Sequence, residues 1–305
     1  MPPELHRPKR KEKNQAETLP ALWSLSGSLP GKGNLRKVRF AMEKQKTVER
    51  LINMLLEADP GYRSQAESFP KDYTQQRYLL RCLMNVWDPR IELPEEFYTL
   101  QDELLSQETT EKIPVKPKSG VSLWQGDITR LQVDAIVNAA NSQMLGCFVP
   151  GHNCIDNAIH SAAGLELRQE CYRIMSEQGH EEETGKAKIT PGYNLPAKYV
   201  IHTVGPIVSG RLTDRHRALL RSSYQSCLEL AEKYGLHSIA FCCLSTGVFR
   251  FPHDEAAKIA VDTIRHYLAA NPDSGIDTVV FNVFKDEDRV IYENLLEEGS
   301  RRNDS

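Results

Sequence analysis

Val137-Asn-Ala-Ala-Asn-Ser-Gln-Met-Leu-Gly-Cys-Phe-Val-Pro-Gly-His-Asn-Cys-Ile-Asp-Asn-Ala-Ile-His-Ser-Ala-Ala-Gly164 passes from the end of an apolar run, through a Gly/Pro-containing loop, into a helical pattern. The loop carries Cys147, His152 and Cys154 in the spacing C-x4-H-x-C. Two thiolates and an imidazole so placed can close around one tetrahedral zinc, and three protein ligands leave the fourth position open. Closed structural sites usually have four ligands, so the count points to a zinc that holds water or substrate. The alternative is three unrelated loop positions, since no CxxC pair strengthens the spacing.

Outward from this loop, short apolar runs alternate with helical ones. Residues 121–124, 135–138, 199–204, 238–244 and 278–284 read as buried strands by length and by β-branched or aromatic content, and 156–163, 165–178, 214–234, 253–270 and 286–296 as helices. This alternation predicts an α/β domain of three layers, with a mixed, largely parallel sheet covered by helices on both faces. Ligands of such sheets bind at the carboxyl ends of strands, where the loops after Trp124, Ala140 and Leu244 converge.

Upstream, apolar residues recur at Val48, Leu51, Ile52, Leu55 and Leu56 and again over 78–84, the one-face spacing of amphipathic helices. The expected organisation is a poorly ordered tail over 1–40, a small helical segment and linker over 41–117 that ends in a short helix after Pro94, the α/β domain over 118–296, and a tail over 297–305. The basic cluster at 8–13 is expected to be solvated tail.

Composition excludes several classes. The 38 basic and 41 acidic residues leave a net charge of −3, with no general pull toward nucleic acid or anionic membrane. No apolar run spans a bilayer and the amino terminus has no signal-like core, so a cytoplasmic location is expected. Seven cysteines, several inside apolar patterns, argue for free thiols.

Four motifs now stand in order. Gln125-Gly-Asp-Ile-Thr129 follows the first core strand, Val137-Asn-Ala-Ala-Asn141 ends the second, Cys154 to Gly164 opens a helix, and Leu244-Ser-Thr-Gly-Val-Phe-Arg-Phe-Pro252 follows a later strand. Together they resemble the macrodomain, an ADP-ribose-binding module, and the C-x4-H-x-C loop is similar to its zinc-dependent protein-ADP-ribose hydrolase branch. The resemblance implies one zinc on Cys147, His152 and Cys154. It implies a glycosidase-type hydrolase that removes mono-ADP-ribose from aspartate or glutamate side chains. Its implied partners are a sirtuin-like ADP-ribosyltransferase and a lipoylated glycine-cleavage-H-like carrier protein.

Residue by residue, the resemblance assigns Asp127 to the adenine amino group and Ile128 to an adjacent backbone contact, whereas alone Asp127 reads as a turn cap. It assigns Asn141 to the distal ribose, and Asn138 is expected to hold the loop in shape. Cys154, Ile155 and Asp156 line the ADP-ribose site, with Asn141, Cys154 and Asp156 in catalysis. Asp156 reads equally as a helix N-cap or as the group that binds ribose or water. Ser245, Thr246, Gly247, Val248 and Phe249 form an anion nest for the diphosphate. Val248 and Arg250 depart from the branch pattern, which has an acidic residue and a glycine there. Of Phe249, Phe251 and Phe284, Phe284 is expected at the adenine. His160 is expected to be a structural donor, and His202 and His253 structural or solvated. A binding module with structural zinc, or a hydrolase of a small derivative such as O-acetyl-ADP-ribose, stays open as an alternative.

Overall fold

The computed structural model describes residues 32–111 and 114–303. The basic cluster at 8–13 lies outside these residues. The stretch expected as tail turns helical at its end, because the first helix, α1 (Lys32–Ala58), begins before residue 40. It is followed by α2 (Arg63–Glu67), α3 (Tyr73–Val86) and α4 (Glu95–Glu111), the last longer than the short helix expected after Pro94. Asp72 starts α3 by accepting the Gln75 N–H at 3.1 Å. The helical spacing turns Val48, Leu51 and Leu55 of α1, Leu79, Leu80 and Leu83 of α3, and Phe97 and Leu104 of α4 into one core. Leu165, which belongs to the following domain, completes that core.

The α/β domain contains β1 (Gly120–Gln125), β2 (Ala135–Ala140), β3 (Ala187–Pro191), β4 (Tyr199–Val204), β5 (Ser238–Phe241) and β6 (Thr278–Val283). Its helices are α5 (Ile155–Ala163), α6 (Leu165–Gln178), α7 (Asp214–Lys233), α8 (His253–Ala270) and α9 (Asp286–Asn303). The six strands form one sheet in the order β1-β6-β5-β2-β4-β3, parallel throughout except that β3 runs antiparallel to β4. One outer layer is α7, α8 and α9, packed side by side; α5 and α6 form the other, α5 against β2 and α6 against β3. Burial on both faces is why β6 reads as a largely apolar run, with Thr278 and Asn282 its two polar residues.

Four expectations change in detail. β5 ends at Phe241, because the next residues turn into a loop in which Ser245 takes a left-handed φ of 64°. Phe284 falls just outside β6. β3 was not anticipated: a five-residue, half-buried edge strand ending in Pro191 has too little alternation to read. Residues 297–303 continue α9 instead of forming a tail. Among the described residues no helix is long and apolar enough to cross a membrane.

Leu51, wholly buried at the centre of the helical segment's core, tests how far that segment is stabilised by packing. Leu51→Ala should cost about 2–5 kcal/mol, read as a lowered urea midpoint at constant slope.

Candidate active site

The carboxyl ends of the parallel strands present four loops on one edge of the sheet. The loop between β2 and α5 is shaped by asparagines. Asn141 Oδ1 accepts the N–H groups of Gln143 (2.9 Å) and Met144 (3.1 Å), and its Nδ2 donates to Gly146 O (2.9 Å). The loop-shaping task expected of Asn138 therefore falls to Asn141. Asn138 is instead fully buried, and its Nδ2 donates to Asp156 Oδ1 at 2.7 Å and to His202 Nδ1 at 3.1 Å. That contact fixes the His202 tautomer, since Nδ1 must accept.

Within the loop, Cys147, His152 and Cys154 come together: their ligand atoms all lie within 4.8 Å of one another, with Cys147 Sγ 3.4 Å from His152 Nδ1. Asn157, fully buried in the first turn of α5, draws the ends of this loop inward. Its Oδ1 accepts the Cys147 N–H at 3.1 Å, while its Nδ2 donates to Val149 O (3.2 Å) and His152 O (3.4 Å). The N-cap of α5 is Cys154, whose Sγ accepts the Asn157 N–H at 3.4 Å. Asp156 is thus not the cap, as one reading of the sequence had it; it lies inside the helix with its carboxylate turned toward Asn138.

The ligand atoms of a tetrahedral zinc with sulfur and nitrogen donors stand roughly 3.3–3.8 Å apart, so only a small contraction separates this cluster from a metal cage. Burial pushes the Cys154 thiol up to about 11, so the thiolate forms there only against a cation. The donor set and its reach both fit zinc.

Beneath the loop the site is closely buried. Asp156 is 5% exposed, and burial raises its carboxyl to about 6 against the lowering effects of Asn138 and the Arg168 charge. Burial holds His202 at about 3 and His160 well below the usual range, so both imidazoles are neutral. His160 Nε2 lies 3.5 Å from Asp156 Oδ1, yet both its ring nitrogens lack a hydrogen-bond partner among the described residues. With a neutral ring and that distance, the pair is a contact and not an ion pair. His160 groups with Cys171 and His202, away from the loop trio, so it is not a fourth ligand there. His253 bonds Asp288 across the starts of α8 and α9 at 2.5 Å.

The other loops complete the edge. Asp127 caps the short 3-10 turn Ile128–Arg130 by accepting from Thr129 N (3.0 Å) and Oγ1 (2.6 Å). Ile128 is buried beside it. Asn282 Nδ2 ties the turn to the sheet through Gly126 O at 2.9 Å. Phe284, 77% exposed, stands next to this turn, where Gln125 Nε2 donates to its carbonyl at 3.3 Å. Phe251 is core. In the loop after β5, the N–H groups of Thr246, Gly247, Val248 and Phe249 make no backbone hydrogen bond among the described residues, as an anion nest requires. Val248 is 70% exposed and Arg250 has φ 57°, the left-handed conformation that glycine favours. The loop is backed by Gly205, where any Cβ would collide with Ser245 Oγ.

Sequence reasoning missed Asn157 and Arg168. An amide three residues after Cys154 gives no sign of which backbone groups it will meet. Arg168 did carry a signal: it occupies the apolar face of α6 shared by Leu165 and Cys171, and it is 2% exposed.

A model of the macro domain matches residues 137–260. The protein-ADP-ribose hydrolase of Treponema medium is 51% identical over 256 residues, covering 81% of this chain and 96% of that protein. The Staphylococcus aureus (strain MSSA476) protein of the same name is 48% identical over 230 residues, covering 73% and 85%. Among solved structures, the Trypanosoma brucei macrodomain in complex with ADP-ribose is 32% identical with a TM-score of 0.55, covering 74% of this chain and 96% of that one. The Oceanobacillus iheyensis macrodomain with ADP is 37% identical with a TM-score of 0.54, covering 59% and 91%. With the sheet order, the loop chemistry and these likenesses in agreement, the chain belongs to the macrodomain family.

Proposed function

We propose that this chain is a zinc-dependent protein-ADP-ribose hydrolase that removes mono-ADP-ribose from an aspartate or glutamate side chain of a modified protein. The observation that carries this reading is the convergence of Cys147, His152 and Cys154 on one loop, directly before Asp156 and on the same sheet edge as the 245–249 nest. The names of the relatives from Treponema medium and Staphylococcus aureus support the activity class.

Cys147, His152 and Cys154 would hold the zinc, which when bound supplies a Lewis acid that stabilises developing negative charge and lowers the pKa of water. The remaining chemistry belongs to the chain. Asp127 accepts from the adenine amino group while it caps its own turn, Ile128 offers its backbone, and Phe284 covers the base. The free N–H groups of Thr246, Gly247, Val248 and Phe249, with Ser245 setting the turn, bind the diphosphate without a lysine. Asn141 keeps one amide hydrogen for the distal ribose, and Cys154 and Ile155 line the ring's approach. Asp156, fixed by Asn138, orients the water or a ribose hydroxyl, so that hydrolysis yields free ADP-ribose and a carboxylate. The source of the substrate would be a sirtuin-like ADP-ribosyltransferase acting on a lipoylated carrier protein, which rests on family resemblance alone.

Release of ADP-ribose from a protein modified on aspartate or glutamate should fall when zinc is stripped and return on reconstitution. Retained ADP-ribose binding with no release in either state would make the chain a reader instead. Cys154→Ala should lose zinc and turnover while circular dichroism keeps the folded spectrum; turnover without metal would sink the zinc reading. Asp127→Ala should weaken ADP-ribose binding by about 1.5–3 kcal/mol in calorimetry, the worth of a hydrogen bond to a charged group.

A further inference from the structure

The helical segment α1–α4 has no part in the chemistry above, yet it reaches the metal-ligand loop. Asn85, in the last turn of α3, is 1% exposed. Its Oδ1 accepts the Gly151 N–H at 3.1 Å, and its Nδ2 donates to Ser161 Oγ at 3.1 Å. Gly151 immediately precedes His152, and Ser161 lies on α5, the helix that Cys154 caps. One amide therefore joins the two sides of the ligand set.

The contacts around it act on the same loop. Arg168 Nη1 donates to the carbonyls of Met84 (3.0 Å), Asn85 (2.9 Å) and Trp87 (2.9 Å), which fixes the backbone that carries the Asn85 side chain. The same guanidinium lies 4.7 Å from the centroid of Phe148, the residue after Cys147. Gly151, at φ 63°, lies so near Tyr78 of α3 that any Cβ would collide with the phenol oxygen. Arg81 Nη2 approaches His152 O at 3.5 Å.

We propose that Asn85 is a positioning residue for the metal centre: by bridging Gly151 and Ser161 it sets His152 against Cys154, which makes the helical segment a working part of the site. This rests on the zinc reading of Cys147, His152 and Cys154. Packing alone does not account for an amide at this place. An apolar side chain of the same size could fill the space, but it would leave the Gly151 N–H and Ser161 Oγ without this partner, whereas the amide serves both. What the amide adds is direction, because its two bonds hold only when loop and helix stand in one arrangement. Groups behind metal ligands act in this way, and their loss lowers metal affinity.

The test is titration of the full-length, metal-free chain with Co²⁺, followed through the thiolate-to-cobalt charge-transfer and ligand-field bands, alongside kcat and KM for ADP-ribose release. Asn85→Ala should weaken cobalt binding about 10- to 100-fold and alter the ligand-field bands. It should lower kcat while leaving KM and ADP-ribose affinity near wild type. Asn85→Asp keeps an acceptor for the Gly151 N–H and should recover most of the affinity. Leu51→Ala, which loosens the same segment without touching the loop, should leave cobalt binding unchanged.

Wild-type cobalt affinity and spectrum in Asn85→Ala would overturn the inference, as would an equal loss in Leu51→Ala. Should Asn85→Ala fail to fold, Ser161→Ala removes one of the two bonds and should still weaken cobalt binding; no change there is equally fatal. A wild-type chain that takes up no cobalt defeats the zinc reading and this inference together. Weakened cobalt binding in Asn85→Ala with no ADP-ribose release by wild type upholds the inference and defeats only the hydrolase reading.

Discussion

A loop that brings two cysteines and a histidine together must also turn its backbone inward, and every buried N–H and C=O then needs a partner. The stretch 141–154 has no strand or helix ladder to supply them. Asparagine amides do so instead: the buried Asn157 from within α5 serves Cys147, Val149 and His152, the half-buried Asn141 serves Gln143, Met144 and Gly146, and the buried Asn85 serves Gly151. An amide suits this task because it offers an acceptor and two donors in one plane and carries no charge to desolvate. The cluster depends on these bonds, since a loop free to relax would not hold the side chains of Cys147, His152 and Cys154 within 4.8 Å of one another.

Charge is managed differently. Four ionisable side chains, Asp156, His160, Arg168 and His202, are buried close together beneath that loop. Leaving all of them ionised would be costly in so buried a place, and desolvation therefore keeps both histidines neutral. Only Arg168 and Asp156 remain as a charge pair of long reach. Burial lowers Arg168 to about 10, so its guanidinium stays protonated near neutrality. Its Nη1 finds three carbonyl acceptors at the end of α3, while the buried Nε is left without a partner among the described residues.

Much of this fold is legible in the sequence. The five parallel strands are short apolar runs between helical patterns, and Val137–Asn141 followed by the C-x4-H-x-C loop marks both the carboxyl edge and the side chains that cluster there. What escapes reading depends on three-dimensional partners. β3 is an edge strand with half-buried residues, so nothing in Ala187–Pro191 alternates strongly enough to reveal it. The loop-shaping role expected of Asn138 falls to Asn141 because the residue at the strand's interior points into the core, where it meets Asp156 and His202, and the one at its end meets the loop. Tyr78, Asn85 and Arg168 acquire their positions only when the helical segment docks, and no local pattern encodes that docking.

The dependence of the first core on Leu165 also bears on the order in which the chain is made. Helices α1 to α4 leave the ribosome well before α6, with a hydrophobic face that Leu165 has yet to cover and with Asn85 lacking Gly151 and Ser161. At a synthesis rate of about 5–20 residues per second, that interval lasts roughly several seconds. Nascent chains would carry an unfinished apolar surface through it until Leu165 arrives.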